Sequence, residues 1–148
     1  MARILIADDN ETIRQLMRFY LEHSGHIVCG EAHDGVQAIE CAKQTESDLI
    51  LLDLIMPKMN GIETTSMLKR MLPNTPIILF TLHEDSINRE LATTMGVDLV
   101  VDKTGGIPKL GESVRKLLSQ AVKTSVSTGS SRESSNNKNA DDVSRMNN

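Results

Sequence analysis

Aromatic side chains are nearly missing from this chain: two Phe, one Tyr and no Trp among 148 residues. Single-stranded nucleic acids are bound on aromatic stacking platforms, and this composition does not supply one. A basic surface is missing too. Sixteen Lys and Arg stand against 20 Asp and Glu, a net charge of −4, so nucleic acid is not an expected partner. No apolar stretch approaches the ~20 residues that span a bilayer, so no membrane partner is expected. The N-terminus enters a strand at once, without the charged and apolar regions of a signal peptide. Cysteine is scarce, and Cys29 and Cys41 lie too far apart for a CxxC motif. Without a signal peptide they read as reduced thiols of a cytoplasmic protein. The remainder, 39% hydrophobic and 24% charged, fits one globular domain with a polar appendage.

Short apolar runs alternate with helical periodicity. Arg3 to Ala7, His26 to Ala32, Leu49 to Leu52, Ile77 to Phe80 and Leu99 to Val101 read as strands. Between them lie helices: one through Ile13, Leu16, Met17, Tyr20 and Leu21, one capped by Asp34, one over Gly61 to Met71, and one over Asp85 to Met95 ending at Gly96. A fifth helix is expected from about Lys109 to Val122. Near-continuous Ile, Leu and Val mark strands covered on both faces. Five βα units with right-handed crossovers give an α/β fold, a three-layer α/β/α doubly wound sandwich over a five-stranded parallel sheet. Five units cannot close an eight-fold barrel. The folded domain is expected over 1–123. From Thr124 to Asn148, 12 of 25 residues are Ser or Asn. Such a tail buries too little apolar surface to offset its ordering entropy and is expected to be disordered.

Four of the apolar runs end in chemistry. Ile4-Leu5-Ile6-Ala7 leads to Asp8-Asp9, Leu49-Ile50-Leu51-Leu52 to Asp53, Ile77-Ile78-Leu79-Phe80 to Thr81, and Leu99-Val100-Val101-Asp102 to Lys103. Open α/β sheets bind ligands at the carboxyl edge of the strands. Two carboxylates forced to about 4 Å repel by about 4 kcal/mol at an effective dielectric of 20. A cluster of three therefore calls for a cation. Mg²⁺ suits it, since that ion takes one or two carboxylates plus waters and phosphate oxygens. A carboxylate is a competent nucleophile toward phosphorus, giving an aspartyl phosphate. A metal, the Lys103 ammonium and the Thr81 hydroxyl can then hold the phosphoryl oxygens. Taken singly, each residue has a plainer reading. Asp8, Asp9 or Asn10 can cap a helix, Asp53 can sit in a turn, Thr81 can be an ordinary strand-end hydroxyl, and Lys103 can lie along the surface. Their occurrence together at one edge favours the shared site.

The acidic pair Asp8-Asp9, the stretch Asp53-Leu54-Ile55-Met56-Pro57-Lys58-Met59-Asn60-Gly61, Thr81 and Lys103 stand in the order and spacing of a known family. The chain resembles the CheY-like receiver domains of bacterial two-component response regulators over about residues 3–122. The resemblance implies a flavodoxin-like fold with strand order 2-1-3-4-5. It implies Asp53 as phosphoacceptor, and Mg²⁺ held by Asp9, Asp53 and the backbone carbonyl of Ile55, with Asp8 acting largely through water. Thr81 then corresponds to the switch hydroxyl and Lys103 to the lysine that pairs with the phosphate. A sensor histidine kinase or phosphotransfer protein would supply the phosphoryl group. The output would pass to an unidentified downstream protein or a second copy, through the face of the fourth strand, fourth helix and fifth strand.

Three positions depart from the family pattern. Leu82 replaces the usual small residue after Thr81 and is expected to crowd the route to Asp53. Val101 stands where many members carry a mobile aromatic ring. Thr104 replaces the proline that commonly follows the lysine, so a trans bond or strain is expected there. These departures support an alternative reading, a phosphorylation-independent interaction module with a weakened switch. An aspartyl-phosphate phosphatase would place a second Asp two residues after the nucleophile. Ile55 occupies that position, so enzymatic turnover is not expected.

Overall fold

The computed structural model describes residues 1–82, 85 and 87–121. Five strands form its centre: β1 (Arg3–Ala7), β2 (Ile27–Ala32), β3 (Leu49–Leu52), β4 (Ile77–Thr81) and β5 (Leu99–Asp102). Between them run α1 (Glu11–His23), α2 (Gly35–Gln44), α3 (Gly61–Met71) and α4 (Arg89–Met95). A single 3-10 turn, Lys103–Gly105, follows β5, and α5 then occupies residues 106–121. The strand order is β2-β1-β3-β4-β5 and every pairing is parallel. This is the doubly wound sandwich that the alternation of strands and helices leads one to expect.

Successive strand residues point to opposite faces, and here each strand feeds two separate cores. Leu5, Ala7, Ile50, Leu52, Ile77 and Leu79 pack with Ala38, Ile39 and Ala42 of α2, Leu68 of α3 and Ala92 of α4. Ile4, Ile6, Leu49, Leu51, Ile78 and Phe80 pack with Met17 and Leu21 of α1 and Leu110 and Val114 of α5. Covering on both sides is why the strands read as unbroken apolar runs rather than alternating ones.

The helices start on polar caps. Asn10 accepts from the Ile13 N–H at 3.1 Å, Asp34 from Gln37 at 2.7 Å, Asn60 from Glu63 at 2.9 Å and Asn88 from Leu91 at 3.1 Å. Each bond satisfies a first-turn donor that has no partner within the helix. The cap on Asn88 corrects the expected start of the fourth helix at Asp85. Asn88 is extended (φ −76°, ψ 105°), so helical backbone begins only at Arg89. Gly96 ends that helix as expected, in the left-handed region at φ +105°. α5 starts at residue 106 rather than Lys109. Pro108 falls in its first turn, where a missing N–H leaves no helical bond unmade. β2 starts at Ile27, because the His26 N–H donates to Leu21 O at 3.0 Å and closes the end of α1. The expected disordered tail lies outside the described residues. Among the described residues, no helix is long and apolar enough to cross a membrane, and both cysteines are free thiols.

Gly61 holds α3 against the site. Its N–H donates to Leu54 O at 2.7 Å. An added Cβ would collide with the Asp53 carbonyl oxygen and lie 2.7 Å from Leu79 Cδ1. Gly61→Ala is therefore expected to cost about 1–3 kcal/mol through overpacking, seen as a lower urea midpoint. An unchanged midpoint would show that the helix start shifts freely.

Candidate functional site

The chain leaves β1 toward the α1 face and leaves β3 toward the α3 face. The two connections diverge and open a crevice over the carboxyl ends of neighbouring strands. The Asp8 N–H donates to Ala32 O at 3.0 Å, and the Asp53 N–H to Ala7 O at 2.9 Å. Both bonds carry sheet pairing one residue past the strand end and so deliver the two carboxylates to this crevice.

Asp8 is only 1% exposed, yet both of its carboxylate oxygens are engaged. Oδ1 accepts from the Asn10 N–H at 2.9 Å, and Oδ2 from Lys103 Nζ at 2.6 Å. Its backbone carbonyl accepts from the Arg14 guanidinium at 2.7 Å. Asp9 is exposed beside it. Asp8, Asp9 and Asp53 each offer a carboxylate oxygen within 4.8 Å of the others. Lys103 Nζ lies 3.4 Å from Asp53 Oδ2 and 5.7 Å from the centre of the Phe80 ring. A cation over an aromatic face at that distance is held favourably. Thr81 is fully buried at the tip of β4, paired in register with Asp102 of β5. Ile55 lies in the loop after β3 with its side chain half exposed.

Three carboxylates against one ammonium leave the cluster negative. Burial is the largest cause pushing the Asp53 carboxyl above its ordinary 3.8; Lys103 pulls it down and Asp8 pushes it up again. Because the folded value is raised, the stability due to a protonated Asp53 is full below 3.8. It is lost as pH rises through the raised value. At neutral pH the ionised side chain is then a net cost to the metal-free fold. Asp53→Asn is expected to raise the melting temperature in EDTA by roughly 2–5 °C, the shift that about 1 kcal/mol produces at this size. A fall in melting temperature would mean that Lys103 more than balances the cluster. The donor set is all oxygen, three carboxylates without nitrogen or sulfur, which fits a hard divalent ion such as Mg²⁺.

The structure thus brings together four of the residues singled out from the sequence, Asp8, Asp9, Asp53 and Lys103, and sets Thr81 at the tip of the adjacent strand. Leu82 is 61% exposed. Val101 is buried in the α1/α5 core, and the peptide bond before Thr104 is trans. Two contacts are not apparent from the sequence: the grip of Arg14 on the Asp8 carbonyl, and the pairing of Lys58, a residue beside the site, with Asp34. A basic residue one helical turn into α1 is the available signal for Arg14. Asp34 reads only as a cap, and nothing in the spacing links it to Lys58.

A family model described as the response regulator receiver domain matches residues 4–115. The response regulator protein VraR of Staphylococcus saprophyticus is 36% identical over 115 residues, 77% of this chain and 55% of that protein. The alkaline phosphatase synthesis transcriptional regulatory protein PhoP of Bacillus subtilis is 32% identical over 116 residues, 78% of this chain and 48% of that protein. The chain spans about half the length of these curated relatives. Among solved structures, the response regulator TrrA of Thermotoga maritima, in complex with Mg²⁺-BeF, superposes with a TM-score of 0.72 at 30% identity, covering 79% of this chain and 99% of that one. A CheY-like receiver domain protein from Methanospirillum hungatei shares the fold with a TM-score of 0.78 at 24% identity, covering 83% of this chain and 98% of that one.

Proposed function

The chain belongs to the response regulator receiver domain family, and from that premise we propose that it is a phosphorylation-dependent signalling switch of a two-component phosphorelay, with Asp53 as the phosphoacceptor. The observation that carries this reading is the gathering of three carboxylates at the crevice between β1 and β3, two of them within reach of the Lys103 ammonium.

A sensor histidine kinase or phosphotransfer protein presents phosphohistidine. An Asp53 carboxylate oxygen attacks phosphorus, and the new O–P bond forms as the P–N bond to the donor imidazole breaks. Asp9, Asp53 and the Ile55 carbonyl would hold Mg²⁺, with Asp8 acting through water. When bound, the ion neutralises charge on the transferring phosphoryl oxygens. Lys103, poised between Asp8 and Asp53, turns to a phosphoryl oxygen, and the Thr81 hydroxyl donates to another. The product adds about −1.5 to −2 charge. That charge biases the β4-α4-β5 face for a downstream protein or a second copy.

Beryllofluoride stands in for the phosphoryl group on a carboxylate, and the TrrA complex supports its use here. With Mg²⁺ it is expected to raise the melting temperature of this protein by roughly 5–10 °C at a hundredfold excess over its dissociation constant, about 2.7 kcal/mol. A melting curve indifferent to both Mg²⁺ and beryllofluoride would sink this reading. It would leave the phosphorylation-independent module favoured by Leu82, Val101 and Thr104.

A further inference from the structure

Lys58 sits three residues beyond Ile55 with its backbone at φ +68°, the one non-glycine residue in the left-handed region among those described. Glycine and asparagine adopt that conformation at less cost than lysine. The reason for a lysine must lie in its side chain. Its ammonium lies 3.6 Å from Asp34 Oδ2 at the start of α2. Asp34 is buried, although an N-cap carboxylate is ordinarily exposed. It also accepts from the Gln37 N–H at 2.7 Å and lies 3.2 Å from His33 Nδ1. The Gln37 bond is the main cause holding its carboxyl below the usual range, and Lys58 and His33 add to it. The same two segments meet through backbone. An added Cβ on Gly35 would lie 2.7 Å from the Met59 carbonyl oxygen and would strike Thr64 Oγ1. The loop between β3 and α3 is thus seated on the start of α2, and the ion pair closes that seat from the solvent side.

We propose that the Lys58–Asp34 ion pair is a clasp that fixes the β3–α3 loop for cation binding, with Lys58 a positioning residue that does not touch the phosphoryl group. This rests on the metal-site reading above, because the loop supplies the Ile55 carbonyl. A loop held in place before the ion arrives does not have to be ordered by it, and the affinity gains accordingly. Groups that orient metal ligands typically change affinity by ten- to a hundredfold when removed. For a clasp with one solvent-exposed member, the low end applies.

The test is Mg²⁺ titration by calorimetry of the wild-type chain, Lys58→Asn, Asp34→Asn, the double variant and Lys58→Arg. Asparagine suits the left-handed backbone at 58 and keeps the cap acceptor at 34, so both variants should fold, which melting curves check. Each single asparagine variant is expected to weaken Mg²⁺ binding about tenfold. The double variant should be no worse than either one, the mark of residues acting as a pair. Lys58→Arg should bind within about twofold of wild type, because the charge is kept. Acetyl phosphate labelling of the asparagine variants should return to the wild-type rate once Mg²⁺ saturates them. Unchanged Mg²⁺ affinity in the single variants, or losses that add in the double, would overturn the clasp alone. So would a labelling defect that persists at saturating Mg²⁺, which would place Lys58 on the phosphoryl group. A wild-type chain that binds no Mg²⁺ would overturn the clasp and the metal site together.

Discussion

Asp53→Ala is expected to abolish labelling by acetyl phosphate or phosphoramidate in the presence of Mg²⁺. On a phosphoaffinity gel the wild-type chain should give a retarded band that the variant lacks at any time of incubation. The neighbouring carboxylates are poor substitutes. Both oxygens of Asp8 already accept hydrogen bonds, from Asn10 and Lys103. A lone pair engaged with an ammonium at 2.6 Å is a weak nucleophile. Asp9 is exposed and hydrated, and burial makes Asp53 more basic than an ordinary carboxylate. Basicity and nucleophilic strength rise together. The variant removes a buried charge from an acidic cluster, so it should remain folded, and its melting curve separates loss of chemistry from loss of structure. Labelling of Asp53→Ala at the wild-type level would move the acceptor elsewhere.

Lys103→Met carries the second large effect, on stability as well as signalling. Methionine is unbranched and reaches as far as the lysine Cε, so the change removes chiefly the ammonium. Lys103 is the ammonium 2.6 Å from a carboxylate that is 1% exposed. Removing one partner of a buried pair leaves the other charge uncompensated, at a cost of about 3–5 kcal/mol. Asp53, 3.4 Å away, loses its nearest counter-charge at the same time. A melting temperature lower by roughly 10 °C in EDTA is expected. Part of that loss should return with millimolar Mg²⁺, since a divalent ion restores positive charge to the cluster. A variant equally unstable with and without Mg²⁺ would show that the lysine acts through packing alone. Equal stability to wild type in EDTA would show that the carboxylates are adequately solvated without it.

The strands, their parallel pairing and the acidic edge were legible because they rest on composition. Runs such as Leu49-Ile50-Leu51-Leu52 have few alternatives to a strand buried on both faces, and residues that follow such runs gather at one edge of a parallel sheet. Helix starts were less legible where two capping residues lie close together. Asp85 and Asn88 are both good caps, and the choice falls to Asn88 because its side chain reaches the Leu91 N–H. The start of α5 was hidden by Gly105-Gly106 and Pro108, which read as breakers until the helix is seen to begin within them. Lys58 and Asp34 were illegible as a pair. They lie 24 positions apart and meet only because the β3–α3 loop folds onto the start of α2. No spacing rule connects residues whose proximity is made by two separate turns.

The sheet divides the interior into two sets of side chains with no member in common, while the acidic crevice is made from residues beyond the strand tips. The apolar packing of one flank of the molecule, α1 with α5 or α2 with α3 and α4, can therefore be rewritten without disturbing that of the other, provided Arg14, Asp34 and Gly61, which hold the edge, are kept. Insulation of this kind lets a single reaction be sent to many addresses: a new recipient needs a new exterior, and the carboxylates and their lysine stay where they are.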